Sequence, residues 1–197
     1  MTTPTGVSTT MINLLLSRRS VKPQAMAAPG PTDDQLQQIL IAGSRVPDHK
    51  KLAPWRFIVF AGEARAKVGE LFAEACQAEE AVPPSPVRLE TERNRLLRAP
   101  LVIGVVSRVV ETKGAPRWEQ ELSCGAACMN LCIAANALGF GTSWLTEWYS
   151  YSPRVTAGLG LGANERMAGF VYIGTAIERQ ADRDRPDLAA IVSHWPA

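Results

Sequence analysis

Residues 118–138 read WEQELSCGAACMNLCIAANAL, and no charged side chain falls between Glu121 and Glu147. Such a run is either a membrane span or a helix enclosed by protein. Gly139 and Gly141 end the helical part near Leu138, Asn130 and Asn136 lie within it, and Leu122 to Leu138 only just reaches the roughly 17 residues a bilayer requires. The stretch therefore predicts a buried core helix over about Trp118–Leu138. After Glu121 nearly its whole circumference is apolar, more than one small chain can cover, so the sequence predicts an obligate symmetric dimer packed on this helix. Cys124, Cys128 and Cys132 recur every fourth residue among Ala, Met, Leu and Ile. A zinc site needs ligands converging from several directions, so these read as small buried residues, with no metal expected.

Outward from this helix, Met11–Ser17 reads as a short amphipathic helix ending at Ser17, Arg18, Arg19 and Ser20. Thr32 and Gln35 have capping-box spacing before the apolar face Leu36, Ile39 and Leu40, and Gly43 offers a left-handed stop. Arg56–Phe60 reads as a strand and Glu63–Cys76 as a helix; Pro83, Pro84 and Pro86 break the chain before a charged helix over Val87–Arg98. Leu101–Val106 is continuously apolar and bounded by turn signals, the best candidate for a central buried strand. Thr142–Thr146 is strand-like, Ser152 and Pro153 open another helix, and Ala168–Gly174 is a further strand. Gly158, Gly160 and Ala163 match a dinucleotide glycine spacing but follow a helix, the wrong context, and read as a turn.

The 197 residues, 46% hydrophobic and 20% charged, describe one globular domain able to bury a core without staples. Four cysteines, three of them in the apolar run, suit reduced thiols, and with no signal-peptide pattern at Met1–Thr10 this points to the cytoplasm. A net charge of +2 argues against nucleic acid as a partner, and the glycine-interrupted run argues against a membrane. With only His49 and His194 and no Gly-x-Ser-x-Gly, serine hydrolase chemistry has no support. What remains is loop arginine. Arg18, Arg19 and Ser20 form either an anion site or a solvated turn; Arg45 and His49 flank Pro47 in a loop where site residues tend to sit. Trp118, Trp144 and Trp148 could stack on a ring, with core packing the expectation for Trp118 and ring stacking for Trp144.

Taken in order, Arg18-Arg19-Ser20, Arg45-Val46-Pro47-Asp48-His49-Lys50 with Pro54-Trp55-Arg56-Phe57, Pro116-Arg117-Trp118-Glu119-Gln120-Glu121, Gly139-Phe140-Gly141 and Gly169-Phe170-Val171-Tyr172-Ile173-Gly174-Thr175 resemble the nitroreductase family over about residues 11–176. Within it they look closest to the small YdjA-like branch. The resemblance implies a single domain over 1–197, with 1–10 a flexible N-terminus and 177–197 a C-terminal extension. It implies an α+β, three-layer αβα fold, its central mixed sheet flanked by helices, in an intertwined homodimer with two FMN sites between subunits. Arg18, Arg19 and Ser20 match the motif on FMN, with arginine on the phosphate; Arg45 and His49 match contacts from the other subunit; Trp144, Leu145 and Thr146 match the segment along the ring. Ala134, Ala135, Asn136, Ala137, Leu138 and Gly139 match a stretch assigned to the nicotinamide cofactor.

The implied activity is an FMN-dependent NAD(P)H oxidoreductase passing electrons by ping-pong from NADPH or NADH to a small acceptor such as a nitroaromatic or quinone. Chemistry would reside on the flavin, so no catalytic side chain is expected. Two alternatives stay open: a flavin-binding dimer without turnover, and a reductase of an enone, halogenated aromatic or semialdehyde. The chain departs from the wider family in carrying His49 and Ala53-Pro54-Trp55 where an asparagine and a Gln-Pro-Trp stretch are common. Arg183 and Arg185 are either phosphate contacts or parts of a solvated arm.

Overall fold

The computed structural model describes residues 9–178 and 180–195. Residues 1–8 of the expected N-terminal arm, position 179 and the last two residues lie outside this range. In chain order the elements are α1 (Thr9–Ser17), β1 (Met26–Ala27), α2 (Asp33–Gly43), β2 (Trp55–Ala61), α3 (Ala64–Glu79), α4 (Pro86–Arg93), β3 (Leu101–Arg108), α5 (Arg117–Ala137), β4 (Gly141–Leu145), α6 (Pro153–Gly158), β5 (Glu165–Ala176) and α7 (Leu188–Ile191).

Local chemistry sets several of these boundaries. Thr32 Oγ1 accepts from the Gln35 amide at 3.3 Å while Gln35 Oε1 accepts from the Thr32 amide at 2.9 Å, the capping box read in the sequence. Ser152 Oγ accepts from the Val155 amide at 3.1 Å, with Pro153 in the first turn of α6. The charged helix expected to run to Arg98 instead stops near Asn94, whose side-chain Nδ2 donates to the Glu90 carbonyl at 2.9 Å; a separate turn covers Leu96–Arg98. Gly43 does not terminate α2 in a left-handed conformation, because Ser44 after it remains right-handed. Its glycine serves packing: a Cβ there would lie 2.4 Å from Leu131 Cδ2, so α2 and α5 approach closely only without a side chain.

β5 is the hub of the sheet, pairing with β1, β3 and β4, and β3 lies between β5 and β2. All these pairings are antiparallel; the parallel contribution to the expected mixed sheet is one bridge, Ser20 to Thr142. Along β3, Leu101, Ile103 and Val105 pack toward Ile39 of α2 and Cys128 and Leu131 of α5. Val102 and Val106 point the other way, into a core with Phe72, Leu96 and Tyr149. Helices thus cover both faces, which is why an antiparallel strand reads as an unbroken apolar run. The result is the three-layer α+β architecture.

On its sheet side α5 buries Cys124, Ala127, Cys128, Leu131, Cys132 and Ala135. Its other side is open: Trp118, expected in the core, is 67% exposed and Leu122 54%, and half-buried Gly125, Met129 and Ile133 continue the stripe. α1 buries none of its residues, leaving Ile12, Leu15 and Leu16 exposed. All four cysteines are buried and free. Among the described residues no helix is long and apolar enough to cross a membrane, and no cluster of His, Cys, Asp and Glu could hold a metal.

Candidate functional site

The residues singled out in the sequence fall in three places around α5 and the edge of β4. The first is the turn after α1. The Arg18 amide closes that helix on the Leu14 carbonyl at 2.8 Å, and the chain then runs beside β4 through the Ser20–Thr142 bridge and the Val21 amide, 2.9 Å from the Thr142 carbonyl. Arg18 and Arg19, with Asn136, Gly139 and Gly141, line a cleft of about 630 Å³. Arg19 Nε donates to the Ala181 carbonyl at 3.3 Å. Arg18 differs, since its Nε is buried and has no hydrogen-bond partner among the described residues. An unmatched buried donor typically costs about 1–3 kcal/mol, more when charged, and an anion in the cleft would relieve it.

The second place lies two residues along β4. Trp144 projects to the α5 side, 41% exposed, and its Nε1 donates to the Ala168 carbonyl at 3.1 Å. Ala168 is the extra residue where the β3–β5 register shifts, so the irregularity aims this carbonyl at the indole. Gly169 follows at φ +146, and a Cβ on it would come within 2.3 Å of Trp144 Nε1. The ring therefore rests where only glycine leaves room. Leu145 turns into the core on the opposite face and Thr146 is exposed.

The third place is the loop between α2 and β2, held to α5 by one polar stripe. Asn130 Nδ2 donates to the carbonyls of Ala42 at 3.2 Å and Arg45 at 2.9 Å. Ser123 Oγ donates to Pro47 at 2.6 Å, and Glu119 Oε2 lies 2.7 Å from His49 Nδ1. Glu119, Ser123 and Asn130 recur at helical spacing, so a single face of α5 fixes the loop. Asp48 accepts from the Leu52 and Ala53 amides at 2.9 and 2.8 Å, and Lys50 Nζ donates to the Lys113 carbonyl. These bonds offset the positive φ of Lys50, Lys51 and Ala53, at 62°, 54° and 44°. The Arg45 side chain is exposed, and its guanidinium makes no hydrogen bond or ion pair among the described residues.

Of the stretch 134–139, Asn136 and Gly139 reach the Arg18 cleft, whereas Ala135 is fully enclosed at 0% exposure and faces Val171 and Ile173 in the core. Asn136 Nδ2 donates to the Phe140 carbonyl at 2.8 Å and to Thr142 Oγ1 at 3.2 Å. Arg185 pairs with Asp182 at 2.8 Å.

Sequence reasoning missed a buried charge network behind β4. Glu92, at 0% exposure, accepts from Arg88, from Arg95 and, at 2.8 Å, from Trp148 Nε1. Glu147, directly after Thr146, accepts from Arg95 at 2.8 Å and also from Arg98 and Tyr149. Burial alone would raise the Glu147 carboxyl, but the hydrogen bonds from Arg98 and Tyr149 outweigh it and hold the group below its ordinary range. The network anchors the C-terminal end of the Trp144–Thr146 segment. Its one trace in the sequence is the i, i+4 and i, i+3 spacing of Arg88, Glu92 and Arg95.

Comparison with known proteins agrees with this architecture. The model of the Nitroreductase family matches residues 15–175. The chain is 37% identical over 185 residues to YdjA of Escherichia coli K12, provisionally named an NAD(P)H nitroreductase, with 93% of this chain and 98% of that one covered. Among solved structures, a nitroreductase-like family protein of Bacillus cereus superposes with a TM-score of 0.79 at 23% identity, covering 98% of each chain. A protein of Desulfovibrio desulfuricans, provisionally designated a nitroreductase and solved in complex with FMN, gives 0.72 at 20% identity over 96% of this chain and 99% of that one. The order of motifs, the three-layer fold and a family match across most of the sequence lead to one conclusion: this chain belongs to the nitroreductase family.

Proposed function

We propose that this chain is an FMN-dependent NAD(P)H oxidoreductase that works as a homodimer and passes electrons by ping-pong from NADPH or NADH to a small acceptor such as a nitroaromatic or quinone. The observation that carries the reading is the buried, unpartnered Nε of Arg18, in a cleft on the same strand edge as the Trp144 ring. Arg18 and Arg19 supply guanidinium donors and Ser20 a hydroxyl for the phosphate of FMN. The Trp144–Thr146 segment lies along its ring, Leu145 through its backbone alone because its side chain turns into the core. Bound FMN would supply the redox chemistry, accepting a hydride equivalent from the nicotinamide and yielding electrons to the acceptor. Both relatives' descriptions favour this reading, NAD(P)H for YdjA and bound FMN for the Desulfovibrio protein.

Arg45 and His49 sit on the flank of α5 that carries Glu119 and Ser123, while Trp144 packs on the flank near Gly125. Within one chain the two sets do not converge. A second copy seated on the open stripe of Trp118, Leu122, Gly125, Met129 and Ile133 would cover that apolar surface and offer its own Arg45 and His49 to the neighbouring Trp144. Arg45, whose guanidinium has no partner among the described residues, is then the cation available to hold negative charge on the reduced cofactor. Asn136 and Gly139 are the members of the 134–139 stretch that could meet a nicotinamide nucleotide; enclosed Ala135 acts only through packing.

The test is the visible spectrum of the purified protein, followed by anaerobic mixing with NADH or NADPH and then with a quinone. Yellow dimers whose flavin bands bleach and return over many turnovers are expected. Colourless, monomeric protein that ignores added FMN overturns the proposal, and a yellow protein that never bleaches leaves it a flavin carrier.

A further inference from the structure

β4 pairs with β5 as far as Leu145, opposite Phe170, and the ladder stops there. Thr146 therefore has no strand partner, and its place depends on what holds the residue after it. That residue is Glu147. Both terminal nitrogens of Arg98 donate to its carboxylate, one to each oxygen. The same guanidinium reaches the other end of the segment: its Nη2 donates to the Tyr172 hydroxyl at 2.8 Å, and its central carbon stands 4.9 Å from the middle of the Tyr172 ring. Tyr172 lies on β5 opposite Ser143, the residue before Trp144. Arg98 is fixed in its turn, since its Nε donates to the Arg95 carbonyl at 2.7 Å. The Tyr149 hydroxyl ties the two ends together, bonding Glu147 and, at 2.8 Å, Tyr172. One side chain thus spans Trp144–Thr146, joined to the strand beside its beginning and to the residue after its end.

Stability alone does not call for such a device. Taking a guanidinium and a carboxylate out of water costs about what their attraction returns, so a buried pair adds little over apolar packing of equal volume. What the pair adds is direction. A planar fork bonded to both carboxylate oxygens fixes distance and angle together, which an ammonium in the same place does not. All three guanidinium nitrogens of Arg98 are engaged, so the fork has one orientation. Reactions between two held partners are sensitive to such placement, a misplacement of about 1 Å costing up to about 10²-fold in rate.

We infer that Arg98 is a positioning residue for the redox centre: through Glu147 and Tyr172 it holds the Trp144–Thr146 segment in place against the flavin ring, and so sets the rate at which a nicotinamide reduces the flavin. It acts from the face of β4 opposite the Trp144 ring, where Tyr172 and Leu145 enter the core. The inference rests on the flavin reading above, which lays that segment along the ring.

The experiment mixes NADPH, and separately NADH, anaerobically with the FMN-loaded parent, Arg98→Lys and Arg56→Lys, and reads flavin bleaching in a single turnover below the melting range of all three. Both substitutions keep the charge and remove the fork. Arg56 is the matched control, because it grips both oxygens of Glu165, at 2.7 and 2.8 Å, where β5 opens. Arg98→Lys lowers the bleaching rate at saturating nicotinamide about tenfold. FMN affinity and the half-saturating nicotinamide concentration stay within about twofold of the parent, because the Arg18 cleft is untouched. Arg56→Lys melts lower than the parent and bleaches at the parent rate. Tyr172→Phe cuts only the tie at the Ser143 end and slows bleaching about threefold; it decides the question if Arg98→Lys fails to fold by circular dichroism. Bleaching at the parent rate in Arg98→Lys, or in Tyr172→Phe standing in for it, makes the clamp purely structural and overturns the inference. Equal falls in Arg98→Lys and Arg56→Lys overturn it too, since the loss then follows from lowered stability, as does a loss confined to the half-saturating concentration. A parent that is colourless, or yellow and never bleached, overturns the reductase reading and this inference together; a parent that bleaches, with variants that keep pace, overturns this one alone.

Discussion

Replacing Gly169 by alanine isolates what holds the Trp144 ring. At φ +146 the backbone lies where an L side chain is strained, and the new Cβ would stand 2.3 Å from Trp144 Nε1, 2.6 Å from its Cδ1 and 2.9 Å from the Leu145 carbonyl oxygen. That oxygen belongs to the β4–β5 ladder and cannot retreat, so the indole must move and release Ala168. The strain costs about 1–3 kcal/mol, and the lost hydrogen bond costs about 0.5–1.5 kcal/mol. Their sum is about 3 kcal/mol, which for a domain near this size lowers Tm by about 6–12 °C. Gly160→Ala is the matched control: its φ is +71 but nothing lies within 4 Å of the added Cβ, so it carries strain without a clash. Thermal melts read by circular dichroism, with tryptophan emission to report the indole's surroundings, separate the two. If Gly169→Ala melts with Gly160→Ala and keeps the parent emission, the close approach between glycine and ring is not what positions Trp144.

Three further outcomes follow from named contacts. Arg18→Ala weakens FMN binding at least about tenfold, equivalent to ~1.4 kcal/mol, with an unchanged far-ultraviolet spectrum; equal affinity in a flavin titration would remove Arg18 from the phosphate site. Arg45→Ala lowers the reduction potential of bound flavin, measured against a reference dye, and leaving both potential and FMN affinity unchanged would remove its role across the interface. The Arg56 guanidinium, bonding Glu165 at 2.7 Å, holds that carboxyl down at about 2 against an ordinary 4.5. Because the folded value is depressed, the pair stabilises fully above the ordinary value, and that stability drains away as pH falls from there toward 2. Discounted for solvent at the 30% exposed Arg56 side chain, the contribution is about 1–2 kcal/mol. Glu165→Gln should therefore melt lower than the parent at neutral pH, with the gap closing in acid; a gap independent of pH contradicts the assignment.

Much of the site was readable because its parts are local or travel as motifs. Arg18 to Ser20, Arg45 to His49 and Trp144 to Thr146 each occupy a few consecutive residues, and their order along the chain carried the family. Their mutual arrangement was not readable. The unmatched state of Arg18 Nε among the described residues is a fact about what does not lie near it, which no spacing records. The anchoring of the Arg45 loop depends on Glu119, Ser123 and Asn130, about 70 to 85 positions away in the chain. Glu92 reads as one more charge on a solvated helix until Arg95, Trp148 and the turn after β4 close over it.

From the residues alone came whatever is decided within a few peptide units: the Thr32–Gln35 box, the Ser152–Pro153 start of α6, the buried run of β3 and the apolar length of α5. Those features follow from backbone hydrogen bonding and side-chain periodicity, which neighbouring residues settle among themselves. The close packing of Gly43 on Leu131, the exposure of Trp118, the bulge that turns Ala168 toward Trp144 and the enclosure of Ala135 were decided by tertiary structure. Each depends on which distant surface arrives at that position, and close packing allows only one arrangement there.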